Sequence, residues 1–298
     1  MNLDSLSVVL LYSAMSVYAL AFIAYALDLA TRRAPTLVTA GGDLDTAPPV
    51  KGVPRLGRVA LALLILGGVL HLVSATFRGW EAERLPWSNM YEFSLTGTLI
   101  IIGVYLILLL IVDIRFLGTF VTGLMLVLLG IAAVRYYVPV VPLQPALQSY
   151  WLVIHVFVAL TATGFFAVGA ALSVTQLLRR VSVSGGRRAM LAALPDSEWL
   201  ETVAYRVNLV GFILWTFTLI AGAIWAERAW GRYWGWDTKE VWTFIVWVLY
   251  AGYIHARATR GWRGTRSAWL GLIGFAAVLF NFGVVNVFFT GLHSYSGL

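Results

Sequence analysis

Apolar stretches of about 20 residues recur along this chain between clusters of charge, and no other feature limits the fold so strongly. Eight can be drawn: about Ser7 to Ala30, Arg58 to Phe77, Phe93 to Val112, Leu117 to Val134, Tyr150 to Leu178, Val207 to Ala226, Val241 to Ala256 and Ser267 to Thr290. About 20 helical residues cross a bilayer core, and inside it each backbone N–H and C=O must find its partner within the segment. Helix is therefore the predicted state of every stretch. The predicted fold is all-α, a polytopic transmembrane helical bundle of about eight spans. With 60% hydrophobic and 12% charged residues, the 298 residues leave no length for a separate soluble domain. The N-terminus, M-N-L-D-S-L-S, lacks the basic n-region of a cleaved signal peptide, so the first stretch is expected to stay as a span.

The net charge of +7 is not read as a nucleic-acid surface, because the charges sit between spans and set orientation instead. Loops after spans one, three, five and seven hold 15 of the 21 Lys and Arg residues, counting Arg206. Those loops are predicted to be cytoplasmic and both termini to face outward. The chain has no cysteine, which excludes thiol–disulfide chemistry and iron–sulfur clusters. A Gly/Pro-bearing loop, Ala34 to Leu56, reads as flexible. Three prolines disfavour a long helix between Arg135 and Trp151. A short amphipathic stretch, Asp196 to Arg206, is expected to lead into span six.

Between spans six and seven lies W-A-E-R-A-W-G-R-Y-W-G-W-D-T-K-E-V-W, Trp225 to Trp242, with five tryptophans and six charges. An interfacial aromatic belt needs one or two tryptophans at such a place. Trp225, Trp230, Trp234, Trp236 and Trp242 beside Asp237 form a candidate platform for a large planar ligand, which buries its apolar faces on indole rings. The alternative is a crowded interfacial loop. Asp237, Lys239 and Glu240 either cap and anchor span seven, where carboxylates favour the positive helix end, or contact the ligand's acidic groups.

Only four histidines occur: His71, His155, His255 and His293. Imidazole commonly ligates haem iron, and ionisable groups within spans are costly and usually functional. At 1.5 Å per residue, His155 lies about one helical turn below the outer surface, and His293 lies just beyond the outer end of span eight. Both flank the tryptophan stretch and suit a bis-histidine haem site; singly, each could equally be an interfacial histidine bonded to a headgroup. His255 is near the cytoplasmic end of span seven and cannot share that site. His71 is roughly 20 Å above the cytoplasmic edge, a poor depth match for His255. Either His71 is a lone polar residue within the bundle, or another protein supplies the ligand opposite His255.

Four motifs carry a family resemblance. W-G-R-Y-W-G-W-D-T-K-E-V-W, Trp230 to Trp242, resembles the WWD signature of haem-handling proteins in cytochrome c maturation. R-G-W-E-A-E-R-L-P-W-S-N-M-Y-E (Arg78 to Glu92), S-Y-W-L-V-I-H-V (Ser149 to Val156) and G-L-H-S-Y (Gly291 to Tyr295) complete the match. The chain is similar to the CcsA/ResC-type membrane subunit of the system II cytochrome c synthase, labelled CcsB in some lineages. Thr238 departs from the pattern, since relatives often carry proline there. The resemblance implies His155 and His293 as external axial ligands of haem b, and His255 as ligand of a transmembrane haem. It implies a ResB/CcsB-type membrane partner subunit, apocytochrome c as substrate, indirect dependence on thiol-reducing thioredoxin-like proteins, and a bacterial plasma-membrane location with the tryptophan loop outside. It gives His71 no role. It divides the chain into a first span with its cytoplasmic loop, 1–57, and a haem-handling membrane domain, 58–298. The implied activity is thioether attachment of haem to a C-x-x-C-H segment, as part of a haem lyase, with haem delivery across the membrane. Three rivals remain: a cytochrome b type electron carrier, disfavoured by histidines at three depths; a haem or aromatic-solute transporter, for which no inverted repeat is visible; and a non-catalytic assembly subunit.

Overall fold

The computed structural model describes residues 2–31, 55–143, 147–185, 194–259 and 261–293. The predicted loop through residue 54, the Arg187–Arg188 pair, and Ser294 and Tyr295 of the C-terminal motif lie outside the described residues. Among the described residues are eight long helices and no strand: α1 (Leu3–Thr31), α2 (Arg55–Glu81), α3 (Met90–Leu109), α4 (Gly118–Ile131), α5 (Tyr150–Gly185), α6 (Ser197–Trp230), α7 (Thr238–Thr259) and α8 (Thr265–Leu279). A π-helical turn, Ala132–Tyr136, continues α4, and another, Phe280–Val285, continues α8. The all-α polytopic prediction holds. Seven of these helices, with α4 extended to Arg115–Tyr136 and α8 to Phe288, are long and apolar enough to cross a membrane. The exception is α7, whose first turn carries Lys239 and Glu240 and whose body is rich in Trp and Tyr.

Helix ends explain where the chain turns. Asn89 caps α3, its side chain accepting the Glu92 N–H at 2.9 Å, and Asp196 caps α6 by accepting that of Glu198 at 2.9 Å. Each satisfies a donor that the first turn cannot pair internally. Gly231 ends α6 with φ 70°, its N–H returning to Glu227 O at 2.8 Å, the left-handed stop that glycine allows. The amphipathic stretch after Asp196 proves continuous with span six, so α6 runs 34 residues, about 51 Å, and outreaches a bilayer core of about 30 Å. The tryptophan stretch is likewise mostly helix: only Gly231 to Asp237 is irregular.

α1 packs chiefly on α2, and α5 on α6. Small residues admit large ones at these seams. A Cβ on Gly67 would come within 2.5 Å of the Tyr18 ring, and one on Gly211 within 2.7 Å of the Phe166 ring. Tyr250 stacks on Phe166 at 3.7 Å between centroids. One end of the bundle gathers Asp4, the 82–89 loop, the segment after Tyr136, the start of α5, the end of α6 and the start of α7. Arg78 ties much of this end together. It is fully buried and donates to Glu92 Oε1 (3.1 Å), Asp4 Oδ1 (2.6 Å) and Val138 O (2.8 Å). Arg84 adds a second guanidinium on Glu92, at 2.6 Å, and Ser88 donates to Glu92 through N–H and hydroxyl, each at 3.0 Å. Buried charge is tolerable only when so paired. At the opposite end Glu201 accepts the Gly264 N–H at 2.7 Å, and Arg257 donates to Glu201 O at 2.8 Å.

Candidate functional site

The gathered end holds the cavity that matters. Trp87, Asn89, Met90 and Phe93 line it from the start of α3; His155 and Val156 from α5; Trp215, Thr218 and Trp225 from α6; Lys239 and Thr243 from α7; and Asn281, Phe282 and His293 from α8 and the turn beyond. Its free volume is about 130 Å³, well below the roughly 300–1,000 Å³ of sites that enclose drug-sized ligands. A larger planar guest requires side chains or the 289–293 turn to move apart.

His155 stands on the second turn of α5. Its Nδ1–H donates to the Thr218 carbonyl at 3.0 Å, which leaves Nε2 as the free acceptor of the neutral ring. The ring fits because residue 222 is glycine: a Cβ there would lie 2.8 Å from His155 Cε1. The ring also stacks on Trp225, 5.9 Å between centroids and 15° between planes.

His293 is held differently. Its Nδ1–H donates to Asp237 Oδ2 at 2.6 Å, and here too Nε2 is left free. The histidine beside it holds the Asp237 carboxyl below its ordinary 3.8, against burial, with help from the Leu292 and Lys239 backbone N–H groups. Gly291 makes room, since a Cβ there would lie 2.1 Å from Asp237 Oδ1. Glu240 shapes the loop by accepting the Gly235 and Asp237 N–H groups at 2.8 and 3.0 Å. With Asp237 as the residue before the helix and Glu240 three further on, this is half of a capping box. The same clamp spans Trp236, which sits at φ 61°, an uncommon conformation for a bulky residue. Asp237 and Glu240 thus anchor α7 as expected, and Asp237 orients His293 as well.

Of the five tryptophans, two meet the histidines. Trp225 touches both imidazoles, lying 5.5 Å from His293 at 66°, and Trp230 lies 4.8 Å from His293 at 73°. Trp234 lines a smaller neighbouring cavity that His155, Lys239 and His293 share. Trp236 is 75% exposed, and Trp242 packs on Phe280 at 4.2 Å. His255 is exposed near the end of α7, far along the helix from Lys239. His71 is fully buried between α1 and α2, its Nδ1 3.3 Å from the Tyr18 hydroxyl, and lines neither cavity. Sequence reasoning missed Trp215, Thr218, Asn281 and Phe282. Trp215 is oriented by its indole N–H on Thr243 O at 3.0 Å; nothing in the apolar runs around these residues marks them out.

A family model described as cytochrome c assembly protein matches residues 87–293, from Trp87 at one wall of the cavity to His293 at the other. The chain belongs to the cytochrome c assembly family. Within it, a cytochrome c biogenesis protein CcsA of Synechococcus elongatus is 34% identical over 298 residues, spanning 83% of this chain and 89% of the relative. CcsA of Prochlorococcus marinus is 34% identical over 270 residues, spanning 80% and 82%. Among solved structures, the cytochrome c haem lyase CcmF superposes over the whole chain with a TM-score of 0.68 at 17% identity. This chain spans half of that one, and the likeness at that identity is one of fold. The resemblance to a CcsA-type subunit is thereby borne out: this is a multi-pass membrane protein of cytochrome c biogenesis.

Proposed function

We propose that this subunit holds haem b, as substrate, between His155 and His293 and presents it for covalent attachment to apocytochrome c. The observation that carries the reading is the pair of imidazoles lining one cavity, each with Nδ1 committed to an acceptor and Nε2 left as the free nitrogen. A metal-binding histidine characteristically carries such a partner on its other nitrogen. Trp225 and Trp230 supply aromatic surface for a tetrapyrrole. In the attachment step each thiol of a C-x-x-C-H segment adds across one vinyl group: a carbon–sulfur bond forms, the thiol proton passes to the vinyl carbon, and nothing is oxidised. The chain supplies no thiol. Its share is orientation, and converting an encounter into a held contact lowers a barrier by several kcal/mol.

The distribution of Lys and Arg supports placing the cavity end outside the plasma membrane, with both termini there. The exposed position of His255 supports a transmembrane haem site completed by a ResB/CcsB-type partner. The reading is tested by purifying the full chain with its partner and recording the absorption spectrum. A haem Soret band that is lost in the His155→Ala/His293→Ala double variant is the expected result. A haem-free protein in every preparation, or normal cytochrome c maturation by the double variant, overturns it in favour of a docking subunit.

A further inference from the structure

Resting on that haem reading, we propose that Lys239 is the residue that recognises a carboxylate of the porphyrin. Lys239 enters the cavity from the first turn of α7 and lines both it and its smaller neighbour. Its ammonium donates to Asn281 O at 2.7 Å. Asn281 belongs to the π-helical turn Phe280–Val285, where the altered register offers this carbonyl to a side chain; such turns recur at functional sites. An ammonium has three donors, so the carbonyl occupies one of them.

No carboxylate among the described residues lies within ion-pair distance of Lys239. The two nearest in sequence make their hydrogen bonds elsewhere, Asp237 to His293 and Glu240 Oε2 to the loop backbone, although Asp237 is near enough to act on the ammonium through space. Among the described residues, the other lining groups are aromatic, aliphatic or neutral apart from the histidines, and no second cation lines the cavity. A buried ammonium bonded to a neutral carbonyl and in ion-pair contact with no carboxylate is stabilised by an anionic guest. The guest that fits this wall together with the indoles is flat and apolar with a carboxylate on one edge. Lys239 would turn that edge toward α7 and α8, and the vinyl edge away from them.

The test titrates the purified, haem-stripped full chain with iron protoporphyrin IX and with its dimethyl ester, following the Soret band. A charge-assisted hydrogen bond corresponds to a preference of about tenfold or more for the diacid. In Lys239→Met that preference should collapse while affinity for the ester stays at the wild-type level; Lys239→Arg should keep it. Equal affinity of the wild-type chain for the two porphyrins overturns the inference while leaving the haem reading intact, and needs no variant to fold. A preference that persists in Lys239→Met also overturns it. Failure of both porphyrins to bind overturns the haem reading and this inference together.

Discussion

The two histidines of the cavity are held in opposite ways. His155 projects from the second turn of a long helix, bonded to a backbone carbonyl of another helix and packed against Gly222 and Trp225. His293 projects from a turn beyond the last helix, bonded to a carboxylate whose own place depends on a clamped loop. A carboxylate raises the basicity of the imidazole more than a carbonyl does, yet a turn moves at lower cost than a packed helix. On the proposed haem reading, this arrangement would make His155 the fixed ligand and His293 the one that leaves, both to admit haem to a cavity too small for it and to yield to the histidine of an incoming C-x-x-C-H segment.

The contrast breaks most directly if the single histidine variants behave alike. His155→Ala should weaken haem binding by more than the roughly 10–100-fold seen when a metal ligand merely loses its hydrogen-bond partner, and free imidazole should not restore it. His293→Ala should retain a five-coordinate haem that free imidazole returns to a six-coordinate spectrum. The glycines sharpen the point. Gly222→Ala drives a methyl into the His155 ring at 2.8 Å. Overpacking of this kind costs about 1–3 kcal/mol, outweighing the roughly 1 kcal/mol gained in helix propensity, so the melting temperature should fall. Gly291 is exposed. Gly291→Ala should leave the melting temperature nearly unchanged and shift the haem spectrum instead, by displacing Asp237. Smaller again is Asp237→Asn, which keeps the shape and removes the charge. Haem affinity should drop by about tenfold, at the low end for such partners, and the His155 side should be untouched.

Legibility in the sequence follows the same division. The spans were readable because a bilayer forces helix on any long apolar run. α6 was misjudged at its start because Glu198, Glu201 and Arg206 interrupt the apolar pattern although the helix continues through them. His155 and His293 were legible because imidazole is rare here and their depths agree. The fixed side was otherwise opaque: Thr218 acts through a backbone carbonyl, which no side chain advertises, and Gly222 is one small residue among the chain's 28 glycines. The movable side was half legible. Asp237 and Glu240 stand out as acids at a helix start, but their division of labour, one on His293 and one on the loop, depends on a left-handed turn at Trp236 that tryptophan does not predict.

The least of these effects is in pH. Asp237 ionises below its ordinary 3.8 in the folded chain, so its contribution to stability is fully present above that value. It is lost only as pH falls through the lower folded value, because the unfolded carboxylate takes up its proton first. Melting temperatures of wild-type protein and Asp237→Asn should therefore differ by a constant amount at pH 5 and above, and converge below about pH 4, as expected for an ordinary carboxylate reference. Among the described residues His155 has no carboxylate partner, so the variant that removes the one acid on the His293 side should remove the cavity's share of this acid sensitivity. A gap that stays constant down to pH 3 would mean that Asp237 acts through its shape alone, and the claimed difference between a charge-held and a carbonyl-held histidine would be lost.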